Sequence, residues 1–184
     1  MAEDRSNRLM TGMFRDRDTA ERAYGSLTAR GYGKDDVSLL MSEDTRARCF
    51  PGGAVEKTEL GTKAAEGAGV GGVAGGTVGA LLLGLAAAGV AVPGLPIIAM
   101  GPLAAALVGA GSGGTVGAIV CALVGSGIPE ERARLYDEGI KSGGIVVGVT
   151  PKTEEDAEYL EHEWTGAKGE QIYRPNPGSV RTIR

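Results

Sequence analysis

Hydrophobic positions along the chain form two patterned flanks around one long apolar stretch. Leu9 to Phe14 reads as a short strand. Ala20, Ala23, Tyr24 and Leu27 then fall at i, i+3, i+4 and i+7, one face of a helix. Asp18, with Glu21 three residues on, has the form of a capping box, and Gly31 and Gly33 suit the helix stop. Val37 to Met41 is the second strand. Beyond the stretch, Pro129 suits the first turn of a helix whose Ala133, Tyr136 and Ile140 share a face. Gly143-Gly144 ends that helix, and Ile145 to Val149 is the most strand-like run in the chain. Thr153 and Asp156 repeat the capping pattern before Ala157, Leu160 and Trp164. Gln171 to Tyr173 makes a short last strand.

The order is β-α-β, an apolar insertion, then α-β-α-β. Four strands with helices on one face predict an α+β, ferredoxin-like sandwich split by the insertion. Residues 1–66 supply the first half and a loop, residues 129–174 the second half. The core is expected from Leu9, Met13, Leu27, Val37, Leu39, Ile145, Val147, Leu160 and Ile172. Residues 175–184, with Pro175, Pro177 and Gly178, read as a flexible tail.

Charge sharpens the division. Residues 1–66 hold 11 Lys/Arg and 12 Asp/Glu, and residues 129–184 hold 8 and 11, which accounts for all 19 and 23 in the chain. The 63 residues from Gly67 to Pro129 have no charge and no aromatic side chain, and contain 18 of the 32 glycines. That run is longer than the ~20 residues of one membrane span. Near its middle, Val92-Pro93-Gly94-Leu95-Pro96 interrupts any helix. Residues 67–128 therefore read as an apolar helical hairpin turning at Pro93, Gly94 and Pro96.

The glycines are regularly placed. Gly67, Gly71, Gly75 and Gly79 are four apart in the first arm. Gly101, Ala105, Gly109, Gly113, Gly117, Cys121 and Gly125 continue the spacing in the second. Residues four apart share one side of a helix, so these rows form shallow grooves suited to close backbone approach. The glycines of the two rows are the expected packing and assembly positions. Leu103, Leu107, Ile119 and Leu123 would then face lipid or other hairpins. Gly75 to Ala80 recurs as Gly113 to Ala118, so the two copies can pair between chains.

Candidate chemistry is sparse. Gly67-x-Gly69-x-x-Gly72 and Gly109-x-Gly111-x-x-Gly114 match a dinucleotide fingerprint in letters alone, since neither follows a strand-like run and the first has no acidic residue ~20 positions on. His162, the sole histidine, sits among Glu158, Glu161 and Glu163 and reads as part of a solvated acidic helix face. Cys49 and Cys121 have no histidine partner nearby. No catalytic residue, cofactor or metal is expected. A net charge of −4 and a pI near 5.1 lack the basic footprint of a nucleic-acid binder. No basic segment with a short apolar run opens the chain, so a secreted precursor is not expected.

Several runs resemble a bacterial family of heat-induced or general-stress proteins. They are Gly101 to Gly111, Gly125-Ser126-Gly127-Ile128-Pro129-Glu130-Glu131, and Tyr136 to Val147. Phe14 to Ala23, Gly31-Tyr32-Gly33 and Asp35 to Ser38 resemble it too, so the likeness covers about residues 9–174. The loop from Arg46 to Lys57 and the tail depart from it. The resemblance implies a stress-related bacterial protein and supplies no catalytic residues.

Together these features predict a non-enzymatic protein that self-assembles into a homo-oligomer through a glycine-zipper hairpin. It is expected in the bacterial cytoplasm, associated with the cytoplasmic membrane. Each arm, at 1.5 Å per residue, would exceed a ~30 Å hydrocarbon core. The alternative is a soluble cytoplasmic particle, a shell or scaffold whose apolar interior holds lipid, quinone or other apolar cargo.

Overall fold

A computed structural model describes residues 9–50, 90–91, 97–104 and 117–174. In chain order the elements are β1 (Met10–Phe14), α1 (Arg17–Ala29), β2 (Val37–Ser42), α2 (Glu43–Cys49), β3 (Val90–Ala91) and β4 (Ile97–Met100). They are followed by α3 (Ala118–Gly125), α4 (Glu130–Lys141), β5 (Ile145–Val149), α5 (Glu154–Gly166) and β6 (Glu170–Tyr173). The protein is α+β. Its strands form one sheet in the order β3-β4-β2-β5-β1-β6, with every neighbouring pair antiparallel.

Strand alternation feeds two cores. Met10, Phe14, Val37, Leu39, Met41, Ile145, Val147 and Val149 face α1 and α5, where they meet Ala23, Leu27, Leu160 and Trp164. Leu9, Met13, Leu40 and Val146 face the other way, toward Leu123, Ala133, Tyr136 and Ile140. Side chains of successive strand residues point to opposite faces, so a sheet buried on both sides must be apolar at nearly every position. The strands β1 and β5 are buried throughout. The expected single helical layer is thus corrected. The sheet lies between α1 and α5 on one face and α3 and α4 on the other.

Three helices, α1, α2 and α5, start at side-chain caps. The Asp16 carboxylate accepts from the Thr19 amide at 2.9 Å, so α1 begins two residues before the expected Asp18–Glu21 box. Thr153 caps α5 as anticipated, accepting from the Asp156 amide at 3.1 Å. The short α2, capped by Ser42, replaces part of what reads as a loop.

Within the stretch expected to be a helical hairpin, residues 90–91 and 97–100 are strands. Val90 pairs with Ala99 and Ala91 with Ile98, on either side of the proline-containing segment. The strand β4 in turn pairs with β2, from Leu39↔Met100 to Ser42↔Ile97. The physical reason is that β2 would otherwise present an open apolar edge. Ile97 and Ala99 fill one core while Ile98 and Met100 fill the other, which a period-two strand can do. Pro93, Gly94 and Pro96 lie outside the described residues.

The residues just after β4 fasten the insertion further. Gly101 has φ of +72°, and a Cβ on it would lie 2.1 Å from the Val37 carbonyl oxygen. Only glycine permits that approach. The Leu103 amide donates to Ser38 Oγ at 3.1 Å, and the Leu103 side chain sits over Gly148. The folding unit therefore extends into the apolar stretch.

Candidate functional site

The helix α3 belongs wholly to the uncharged stretch. Gly117, ahead of it, has φ of +111°, outside the helical range, and its carbonyl accepts from the Cys121 amide at 2.8 Å. A single continuous helix through the second arm is therefore excluded at this point. Ile119 and Leu123 point into the core shared with α4, together with Leu103. These residues cover the sheet rather than facing lipid or neighbouring hairpins, because Val146, Leu40 and Met13 leave an apolar face there for them to bury against.

The opposite side of α3 carries the four-apart small residues. Gly117 is half-buried, while Cys121 and Gly125 are exposed. A Cβ on Gly117 or Gly125 would meet nothing within 4 Å. Val124 is 42% exposed on this helix and Leu135 is 41% exposed on α4, the exposed large hydrophobic residues among those described. Of the expected assembly positions, Gly117 and Gly125 thus lie on one outward, uncharged face. Gly101 does not join them, since its place is the tight approach to β2. Gly67, Gly71, Gly75, Gly79, Gly109 and Gly113 lie outside the described residues.

Chain length limits what the second arm can do. Ala104 and Val120 pack against the same core, and the twelve residues 105–116 connect the pinned segments. At most ~3.6 Å per residue, an excursion out and back reaches about 20 Å, short of a ~30 Å hydrocarbon core. Among the described residues no helix is long and apolar enough to cross a membrane.

The polar clusters are structural in character. Tyr32, buried, donates to Asp156 Oδ2 at 2.9 Å and accepts from the Lys152 amide at 2.8 Å. Arg30 approaches the other Asp156 oxygen at 3.4 Å. Burial, the largest effect, together with the adjacent Asp156, pushes the Tyr32 hydroxyl well above its ordinary pKa. Tyr136 accepts from Thr11 Oγ1 at 2.9 Å and donates to the Gln171 carbonyl at 2.6 Å. Its burial pushes the pKa up to about 12.

A shallow depression of about 540 Å³ is lined by Glu158, Glu161, His162, Thr165, Gly166 and Arg174. Arg174 fills its charged side, reaching Glu161 at 2.9 Å, Glu158 at 3.5 Å, and Glu154. Those hydrogen bonds hold the Arg174 pKa above its ordinary value. The His162 side chain is 88% exposed and lies 3.7 Å from Glu163. No group of three or more His, Cys, Asp or Glu among the described residues is placed to hold a metal. Thr11, Tyr136 and the Gln171 carbonyl are the contacts that sequence reasoning missed. No short-range pattern relates residues 125 apart.

Set against protein-family models, curated proteins and solved structures, the chain matches none of them.

Proposed function

We propose that this is a non-enzymatic, stress-related bacterial protein that self-assembles through its uncharged glycine-rich insertion. The observation that carries this reading is the outward face of α3. There, Gly117, Cys121, Val124 and Gly125 leave an apolar, small-residue surface on a domain whose sheet is already covered on both sides. A contiguous apolar patch, unlike a singly exposed side chain, marks an interaction surface. Glycines on that face let a second backbone approach closely. The stress connection rests on the family resemblance of residues 9–174.

The packing of Ala104 and Val120 against the same core favours a homo-oligomeric particle over a pair of spans. Such a particle would place charged α+β domains outside and apolar insertions inside, with lipid, quinone or similar cargo as its content. Membrane association is the second reading. It is favoured by the uncharged run 67–89, long enough at 1.5 Å per residue to match a hydrocarbon core. The strand order β2-β5-β1-β6, with α1 and α5 as the two crossovers, supports a ferredoxin-like core interrupted between β2 and β5.

Flotation of a detergent-free lysate on a density gradient separates the two readings. Large particles that stay dense, with a native mass several times 18.7 kDa, are expected. Material that floats with lipid would favour the membrane, and a dense monomer would overturn both.

A further inference from the structure

We propose that β6 is exchanged between copies of this chain, so that β1 of one protomer pairs with β6 of another. This contact is separate from α3 and does not depend on it.

Three features of β6 bear on this exchange. It is an edge strand, partly exposed along its length, and pairs only with β1 through Thr11↔Tyr173 and Met13↔Glu170, with a register shift between them. Gln171, inside it, has φ of 52°. Besides its pairing with β1 and the packing of Ile172, side chains from elsewhere in the chain hold β6. Arg15 pairs with Glu170 at 2.8 Å, Arg132 donates to Gln171 Oε1 at 3.0 Å, and Tyr136 donates to the Gln171 carbonyl. Arg174 closes the strand onto Glu154, Glu158 and Glu161 of α5.

The connection from α5 to β6 is only Ala167-Lys168-Gly169. The Lys168 amide donates to the Thr165 carbonyl at 3.0 Å and the Gly169 amide to the Trp164 carbonyl at 2.7 Å. These two bonds are the pair that end a helix on a left-handed residue, normally glycine. Here that residue is Lys168, at φ of 61°. A non-glycine side chain is strained in this conformation. Opening the connection into an extended segment relieves the strain and carries β6 away from its own α5. Short strained hinges favour such exchange, which is a low-cost route to dimers.

Energetically the two arrangements differ little. Each tie, from Arg15–Glu170 to Arg174 with its three carboxylates, forms again in trans with the same partners. The hinge alone changes its conformation, offset by the loss of freedom on association. The ties set how fast β6 leaves, and Lys168 shifts where the equilibrium lies.

Cross-linking between full-length chains tests this, with Cys49 and Cys121 replaced by Ser throughout. A Thr11→Cys chain and a tagged Tyr173→Cys chain are mixed, incubated and oxidised. The two positions are Cα partners, and such partners lie within disulfide range. The double variant Thr11→Cys/Tyr173→Cys reports closure within one chain, and Met13→Cys with Glu170→Cys provides a second pair. Exchange predicts a covalent heterodimer in the mixture. Lys168→Gly should lower its yield by about tenfold, and Arg174→Ala should speed its appearance. Closure of a double variant with no heterodimer from the corresponding mixture would overturn the proposal. So would a yield unchanged by Lys168→Gly.

Discussion

The Tyr136 hydroxyl donates to the Gln171 carbonyl at 2.6 Å, tying α4 to the edge strand β6 while accepting from Thr11 on β1. One buried side chain thus joins three elements. Tyr136→Phe removes the donor and leaves the Gln171 carbonyl to find another partner. A destabilisation of about 1–3 kcal/mol is expected from denaturant unfolding. Buried Trp164, the only tryptophan, provides the fluorescence signal.

The same residue gives the protein an alkaline limit. Its pKa, about 12 in the fold, lies above the ordinary tyrosine value of 10.0. A folded pKa raised above the unfolded one gives stability that is fully present below pH ~10 and lost as pH rises through ~12. Melting temperature should therefore fall steeply in that window. Tyr136→Phe should show a shallower fall than the parent, and an equally steep one would show that other groups govern it.

Tyr32 holds the start of α5 to the turn after α1. Tyr32→Phe would take the hydroxyl from nearly buried Asp156 and the acceptor from the Lys152 amide. Arg30 still faces Asp156, which softens the effect. A loss of about 1–3 kcal/mol is expected, read as a lower denaturation midpoint with an unchanged slope.

Gly101 marks where the apolar insertion meets the domain. Gly101→Ala would place a methyl group against the Val37 carbonyl and hold alanine at φ of +72°. Backbone must shift to accommodate it, so a cost of about 2 kcal/mol or more is expected. Gly125→Ala, on the open side of α3, should be close to neutral for folding of a single chain.

Deleting residues 67–127 should do more than remove an appendage. It would take away β4, uncovering the edge of β2, and also Leu103, Ile119 and Leu123, uncovering the face shared with α4. Circular dichroism of the shortened chain should lack a cooperative thermal transition. A sharp transition near that of the full chain would show that the flanks fold alone.

The flanking elements were legible because their signals are local. The continuous apolar run Ile145–Val149, the Thr153 cap and the face of Ala20, Ala23, Tyr24 and Leu27 all appear where expected. Eight of the nine anticipated core residues are buried, and Ile172 packs partly against the core. The insertion was harder to read. Ile97 to Met100 suits a helix or a strand by composition, and only the open edge of β2, far away in sequence, decides for the strand. The side of α3 that packs was likewise hidden. Small and large residues both recur at helical spacing there, and the sheet face selects Ile119 and Leu123.

The central claim is that the outward face of α3 drives assembly without contributing to the fold of one chain. Light scattering of the purified full-length protein and of Val124→Lys tests it most directly. The parent should have a mass several times 18.7 kDa, and Val124→Lys should be much smaller with an unchanged tertiary fluorescence signal. A monomeric parent, or a Val124→Lys protein of the same large mass, would contradict the claim.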